Sequence, residues 1–316
     1  MSTSFDCIVC GSCVVDLLCK PVSLSQPIGA GLLHIVDPVQ LTAGGIVSNS
    51  GITMSRMGMK VSAFSYVGND GWGPVVRNLY RAEGVNDSLL LTHPTAATST
   101  TVVAIDATGE RSFLHCVGAP KLLNAQAFAD NMDTIARSRM LLVGYYSLMP
   151  NLESDMAQVF KEVRSRGCKT ALDAAGQGGT MSPLAEVLPH LDVYVPSFAE
   201  ASHQTGHEDP RKIIKAFRDC GAPGIVGVKL GKLGVMLSAQ AGEYVEVPIV
   251  TPPGPVIDTT GAGDSFYAGL LTGLLKGLPL HQAGKLGTAA GACCVTAVGG
   301  CTGGRSYEET VKLAGF

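Results

Sequence analysis

No stretch of this chain concentrates positive charge: its Lys and Arg residues are scattered and the formal net charge is -3. Neither nucleic acid nor an anionic membrane surface therefore has an electrostatic footprint here. The ten cysteines fall singly or as the neighbours Cys293 and Cys294, without the ladder of a disulfide framework or a pair suited to zinc. Cys7, Cys10 and Cys13 lie in and just after an apolar run and read as small buried residues, which makes a reducing cytoplasm the expected setting. The opening Met1-Ser-Thr-Ser-Phe-Asp6 lacks a basic and then apolar leader. No apolar run reaches membrane-spanning length without Lys, Pro or several Gly, so a soluble protein is expected. Also missing is the GxGxxG that a dinucleotide-dependent oxidoreductase carries after its first strand; the segment there reads Gly11-Ser-Cys-Val-Val-Asp16.

What is present is apolar content ample for a buried core, 46% over 316 residues, arranged as short apolar runs alternating with amphipathic stretches. Residues 8–10, 61–67, 140–143, 170–172, 193–195 and 225–228 read as buried strands. Residues 46–57, 73–83, 152–166, 211–220, 264–276 and 281–298 read as helices. Such alternation predicts an α/β fold with a mostly parallel sheet covered on both faces. Two stretches break the pattern: 15–41, rich in Pro, Gly and Ser, and 98–117, which alternates like a hairpin around Asp106-Ala-Thr-Gly109. Both are expected to form a small β-layer over one end of the sheet.

The most informative segment is Asp258-Thr-Thr-Gly-Ala-Gly-Asp-Ser-Phe-Tyr-Ala-Gly269. Gly261 and Gly263 permit a sharp turn and close approach to a ligand, and the helical spacing that follows predicts a helix starting near Gly263. Its unpartnered amides and the positive end of its dipole favour an anion. Asp264 falls in that first turn, where the dipole should keep it ionised, and a carboxylate beside a phosphate site suggests a base for an attacking hydroxyl. A second glycine cluster, Gly44-Gly45-Ile-Val-Ser-Asn49, also precedes a helix; Asn49 both donates and accepts hydrogen bonds, which suits sugar hydroxyls, and Asp16 has a similar role available. Ligands in open α/β sheets bind beyond the carboxyl ends of the strands. Asp16, Gly68, Asp70, Tyr145, Tyr146, Asp173, Ser197 and Glu200 gather at those ends.

Taken together, the C-terminal segment, Gly44-Gly45 with Asn49, Gly68-Asn-Asp70-Gly-Trp-Gly73, Gly109-Glu-Arg111 with Gly118-Ala119, Ser197-Phe-Ala-Glu200 and Lys229-Leu-Gly231-Lys-Leu-Gly234 resemble the ribokinase-like (PfkB) carbohydrate kinase family, in order and over nearly the whole chain. The resemblance implies one α/β/α domain over 1–316 with a mostly parallel, nine-stranded-type sheet and a β-lid through which such kinases often dimerise. It implies ATP-dependent phosphorylation of a small carbohydrate, of ribose, fructose or 2-keto-3-deoxy sugar acid type. A nucleoside kinase and a non-catalytic sugar- or nucleotide-binding regulator on the same fold are the alternatives. By position, Asp264 matches the catalytic base, with Gly261, Ala262 and Gly263 the anion hole; Asp16, Gly44, Gly45 and Asn49 match sugar contacts. Lys229, Gly231 and Gly234 match the nucleotide segment, and Glu200 matches a glutamate that holds Mg²⁺ through water. Asp258 and Thr260 match part of a K⁺ loop completed by carbonyls of 295–301. The chain departs from the family at Ser197, where Asn is usual, and at Tyr146, which stands where ribokinases carry a sugar-binding Glu and is expected to contact the substrate with its single hydroxyl.

Overall fold

The computed structural model describes residues 4–25, 31, 33–176 and 178–316. In chain order the strands are β1 (Cys7–Gly11), β2 (Val14–Cys19), β3 (Gln40–Gly44), β4 (Val61–Gly68), β5 (Leu90–His93), β6 (Thr100–Ile105), β7 (Arg111–Cys116), β8 (Met140–Gly144), β9 (Lys169–Asp173), β10 (Val193–Tyr194), β11 (Ile225–Lys229), β12 (Val235–Ser238) and β13 (Val245–Val247). The α-helices are α1 (Gly45–Arg56), α2 (Trp72–Ala82), α3 (Ala125–Ala136), α4 (Met156–Ser165), α5 (Met181–Val187), α6 (Phe198–Thr205), α7 (Pro210–Asp219), α8 (Ala262–Leu275), α9 (Leu280–Cys294) and α10 (Tyr307–Ala314).

Nine strands form the main sheet in the order β13-β12-β11-β10-β9-β8-β1-β4-β5. From β11 to β5 every pairing is parallel; β12 and β13 add an antiparallel edge. A strand buried on both faces must be apolar throughout, and β1 and β8 are fully buried. Along β1 the period of two divides the core: Cys7 and Val9 join Ile46, Val47, Phe266 and Leu270 on one side. Ile8 and Cys10 join Phe128, Phe160, Ile213 and Phe217 on the other. The result is an α/β/α sandwich with α1, α8 and α9 on one face and α3, α4 and α7 on the other. Each fully buried side chain of this size contributes about 1.5–3 kcal/mol relative to exposure.

The stretches 15–41 and 98–117 feed a separate four-stranded sheet, β3-β2-β6-β7, although residues 26–30 and 32 lie outside the described set. β6 and β7 are antiparallel and joined by a turn in which Asp106 Oδ1 accepts from the amides of Thr108 and Glu110. β2 follows β1 almost directly, and β3 runs straight into α1, so this sheet stands over the carboxyl ends of the main one. Sequence periodicity misses β5, β12 and β13, which are short, and α3, α5, α6 and α10. Two helix bounds also differ. α4 starts at Met156, because 151–155 form consecutive turns, and α9 stops at Cys294, because the chain must turn at 295–300 to meet the segment before α8.

Candidate active site

The first turn of α8 is built by a left-handed residue: Gly261 has φ +75, and a Cβ there would collide with the Gly300 carbonyl. This turn swings the amides of 261–263 to the mouth of a cleft of about 730 Å³, a size typical of small-molecule sites. Asp264 follows, almost wholly buried. Its Oδ2 accepts 2.7 Å hydrogen bonds from Asn49 Nδ2 on α1 and from the Tyr145 hydroxyl just after β8. Ser50 Oγ donates to the Asp264 carbonyl, locking α1 against α8. Burial pushes the Asp264 carboxyl above the usual aspartate range, while Asn49, Tyr145 and Lys229 pull the other way. The expected dominance of the helix dipole, which would keep this group strongly acidic, is thus overruled by desolvation.

Asn49 is locked by this arrangement. A carboxylate only accepts hydrogen bonds, so the amide nitrogen must face Asp264, and Asn49 Oδ1 is left buried without a partner. Close by, a Cβ on Gly44 would strike the Asp16 carboxylate, so glycine there is what permits the approach. Asp16 lies on β2 beside Thr101 of β6; burial raises its pKa, with Thr101 and His115 opposing. Asp16, Gly44, Gly45 and Asn49 are therefore brought together on one side of Asp264.

On the other side stands a charged cluster from two strand ends and one helix. Lys229 at the end of β11 reaches Asp173 at the end of β9 at 3.1 Å, with its Nζ also 5.1 Å from the Tyr267 ring centroid. A Cβ on Gly263 would lie 3.3 Å from Lys229 Nζ, so the ammonium sits at the first turn of α8. Burial works against the lysine charge, but Asp173, Glu200 and Asp264 outweigh it and hold its pKa above the ordinary value. Burial, with repulsion from Asp264 and Glu200, pushes Asp173 up to about 7 despite Lys229. Glu200 lines the cleft and is half engaged: its Oε2 accepts from the Ser197 amide at 2.7 Å, while Ser197 Oγ caps α6. Ser197 thus serves as a helix cap, a task for which serine is well suited. Gly231 and Gly234 line the same cleft, alongside the apolar Ile249, Val256, Ala292 and Val295.

Three expected site residues have other partners. Tyr146 does not face the sugar side; its ring is buried and its hydroxyl donates to the Gly178 carbonyl and receives a hydrogen bond from Gln204. Its neighbour Tyr145 takes the inward place because it adopts φ 60, a left-handed conformation costly for a tyrosine, which turns the chain after β8. Asp258 and Thr260 hold not an open loop but a side chain from the second sheet. Arg111 Nη1 lies 2.5 Å from Asp258 Oδ1 and 3.2 Å from Thr260 Oγ1. Arg111, the last residue of the Gly109-Glu-Arg111 motif, thus joins the site, a role the local sequence pattern does not reveal.

A family model described as pfkB family carbohydrate kinase matches residues 4–305, and the chain belongs to that family. It is 28% identical to a ribokinase of Haemophilus influenzae over 87% of this chain and 88% of that protein. It is also 28% identical to a fructokinase of Klebsiella pneumoniae, with 93% and 94% covered. Among solved structures, Arabidopsis thaliana ribokinase complexed with ribose and ATP superposes with a TM-score of 0.82 at 23% identity over the full length of both chains. The protein is accordingly a sugar kinase of the ribokinase type in fold and family.

Proposed function

We propose that this chain transfers the γ-phosphate of ATP to a hydroxyl of a small carbohydrate, with Asp264 as the general base. The observation that carries this reading is the position of Asp264. It stands between the polar side chains of Asp16 and Asn49, brought close by Gly44, and an anion-favouring turn at 261–263 flanked by Lys229. Asn49 and Tyr145 both bind Oδ2, which leaves Oδ1 for the acceptor hydroxyl. As that oxygen forms its bond to phosphorus and the bond between the γ-phosphorus and the bridging oxygen breaks, the hydroxyl proton passes to Asp264. The charge on the transferring group meets the amides of 261–263 and the Lys229 ammonium. An elevated carboxyl pKa suits the base, because proton uptake is then more favourable.

Among the described residues no three His, Cys, Asp or Glu side chains are grouped to hold a metal. That suits Mg²⁺, which is usually held by one or two carboxylates, substrate phosphates and water. Glu200, with Oε1 not used in the capping box, is the residue that would hold it, and the ion would neutralise triphosphate charge. An E. coli putative ribokinase II solved with ATP and Mg²⁺ superposes with a TM-score of 0.83.

The acceptor is read as a ribose, fructose or 2-keto-3-deoxy sugar acid; the relatives include a 2-dehydro-3-deoxygluconokinase of Bacillus subtilis as well as the kinases above. The second sheet is read as a lid. Its exposed Leu41, Val102, Phe113 and Leu114 support a homodimer through that sheet, testable by sedimentation. Ten free thiols agree with a reducing compartment, and no helix among the described residues is long and apolar enough to cross a membrane. The deciding experiment is an ATP-consumption screen over sugars, sugar acids and nucleosides with Mg²⁺, run beside Asp264→Asn. Turnover with a sugar that the variant loses supports the reading, turnover only with nucleosides moves the acceptor class, and nucleotide binding without any turnover favours a regulator.

A further inference from the structure

The segment expected to bind K⁺ already has its central oxygens engaged. Asp258 Oδ1 accepts from Arg111 and from the Thr260 amide at 2.9 Å, and Oδ2 accepts from the Gly299 amide at 2.8 Å. The Val295 carbonyl accepts the amides of Ile257 and Asp258. The Thr260 and Gly300 carbonyls both receive the Cys294 thiol, at 3.3 and 3.2 Å, and the Cys301 carbonyl receives Arg56 at 2.6 Å. A potassium ion at Asp258 needs free oxygens around it. With Arg111 in place, these residues do not fit it.

The same contacts show what fills the role. Three pieces of chain meet at the Asp258 carboxylate: the segment that enters α8, the turn at 299–300 after α9, and β7 of the second sheet through Arg111. The Gly300 carbonyl in turn abuts Gly261, the residue whose conformation aims the anion-binding turn. The Asp258 side chain is 3% exposed and that of Arg111 19%, so removing the guanidinium would leave a buried carboxylate uncompensated. Arg111 supplies its charge on a tether, through one nitrogen, Nη1, that reaches Asp258 and Thr260 together.

We infer that Arg111 is the built-in cation of this site: it occupies the place of a monovalent ion, makes the chain indifferent to K⁺, and couples seating of the second sheet to order in the anion-binding turn. The coupling to turnover rests on the kinase reading; the cation assignment does not. Melting temperature and hydrogen exchange at 258–263 therefore come first, with the intact chain in potassium, sodium and tetramethylammonium chloride at fixed ionic strength. The wild type should melt alike in all three, since an ion that bound only the folded state would raise its melting temperature. A potassium-specific rise of several degrees would overturn the inference.

In Arg111→Met, exchange at 258–263 should accelerate about tenfold or more, and potassium or millimolar methylguanidinium should slow it again. Unchanged exchange, or faster exchange that neither cation reverses, overturns the assignment, the latter because it marks packing alone. Should the methionine variant not fold, Arg111→Lys keeps the charge; exchange at 258–263 in it should accelerate less than about tenfold, and an acceleration of about tenfold or more that neither cation reverses would overturn the assignment. Once an acceptor is known, wild-type rates in the three salts should agree within about twofold. Absence of turnover would undermine the kinase reading while leaving the melting and exchange results to decide on Arg111.

Discussion

Asp258 and Asp264 stand on one short segment, both almost sealed from solvent, yet they acquire opposite acid-base characters. Burial is the largest influence on each and acts in the same direction. The partners make the difference. Asp258 meets a guanidinium and the amides of Gly299 and Thr260, whose donated hydrogens outweigh burial and hold its carboxyl below the usual range. Asp264 meets a neutral amide and a phenol, which soften desolvation without cancelling it. One carboxylate is thereby fixed as a permanent anion that ties the structure together, and the other is left with an appetite for a proton.

The most severe way to break this contrast is Asp264→Asn. An amide cannot take the hydroxyl proton, so turnover should fall about 10²- to 10⁴-fold in a steady-state assay while the protein stays folded. Its stability should move the other way. The folded pKa of Asp264 lies above the reference 3.8, so this carboxylate burdens the fold at pH above its folded value, and the burden disappears as pH falls through that window. The asparagine variant should melt higher than the wild type at pH 8, with the gain vanishing near pH 4. An unchanged or lower melting temperature at pH 8 would contradict the desolvation argument.

Asp258→Asn should come next, costing about 3 kcal/mol in chemical denaturation because Arg111 loses its buried partner. Here the sign reverses: the folded pKa is below 3.8, so the stabilisation is complete above that value and is lost as pH falls through the lower folded one. A stability gap between variant and wild type that persists undiminished at pH 2 would refute the pairing. Tyr145→Phe sharpens the comparison from the other end. Loss of one hydrogen bond to the charged base should raise the acidic limb of the pH profile by about one unit and lower turnover less than tenfold. The smallest effect belongs to Tyr146→Phe, with KM for the sugar within about twofold of wild type and a stability loss of about 1 kcal/mol from the Gly178 and Gln204 contacts.

Much of this was readable from local pattern. The buried strands β1, β4, β8, β9, β10 and β11 announce themselves as apolar runs, and the turn into α8 is written within a few consecutive residues, so Gly261, Gly263 and Asp264 need no tertiary information to be singled out. Asn49 and Gly44 follow for the same reason. Tyr145 and Tyr146 could not be told apart, because which ring turns inward depends on a single φ angle after β8. Arg111 and Asp258 are 147 residues apart, and only the placement of the second sheet over the main one makes them neighbours. The short strands β12 and β13 escaped because two or three alternations carry too little periodicity to stand out.

The locked amide of Asn49 has a bearing on which molecules the pocket will refuse. With one N–H committed to Asp264 and its oxygen buried and idle, the acceptor it has left can recognise only a hydrogen-bond donor. An analogue whose hydroxyl at that place is removed or methylated leaves the acceptor stranded, and sites of this construction discriminate by about 10⁴-fold or more, far beyond what a missing methylene achieves in an apolar pocket. A panel of singly deoxygenated sugars would therefore show one position with a disproportionate penalty, and that position marks the hydroxyl lying against Asn49.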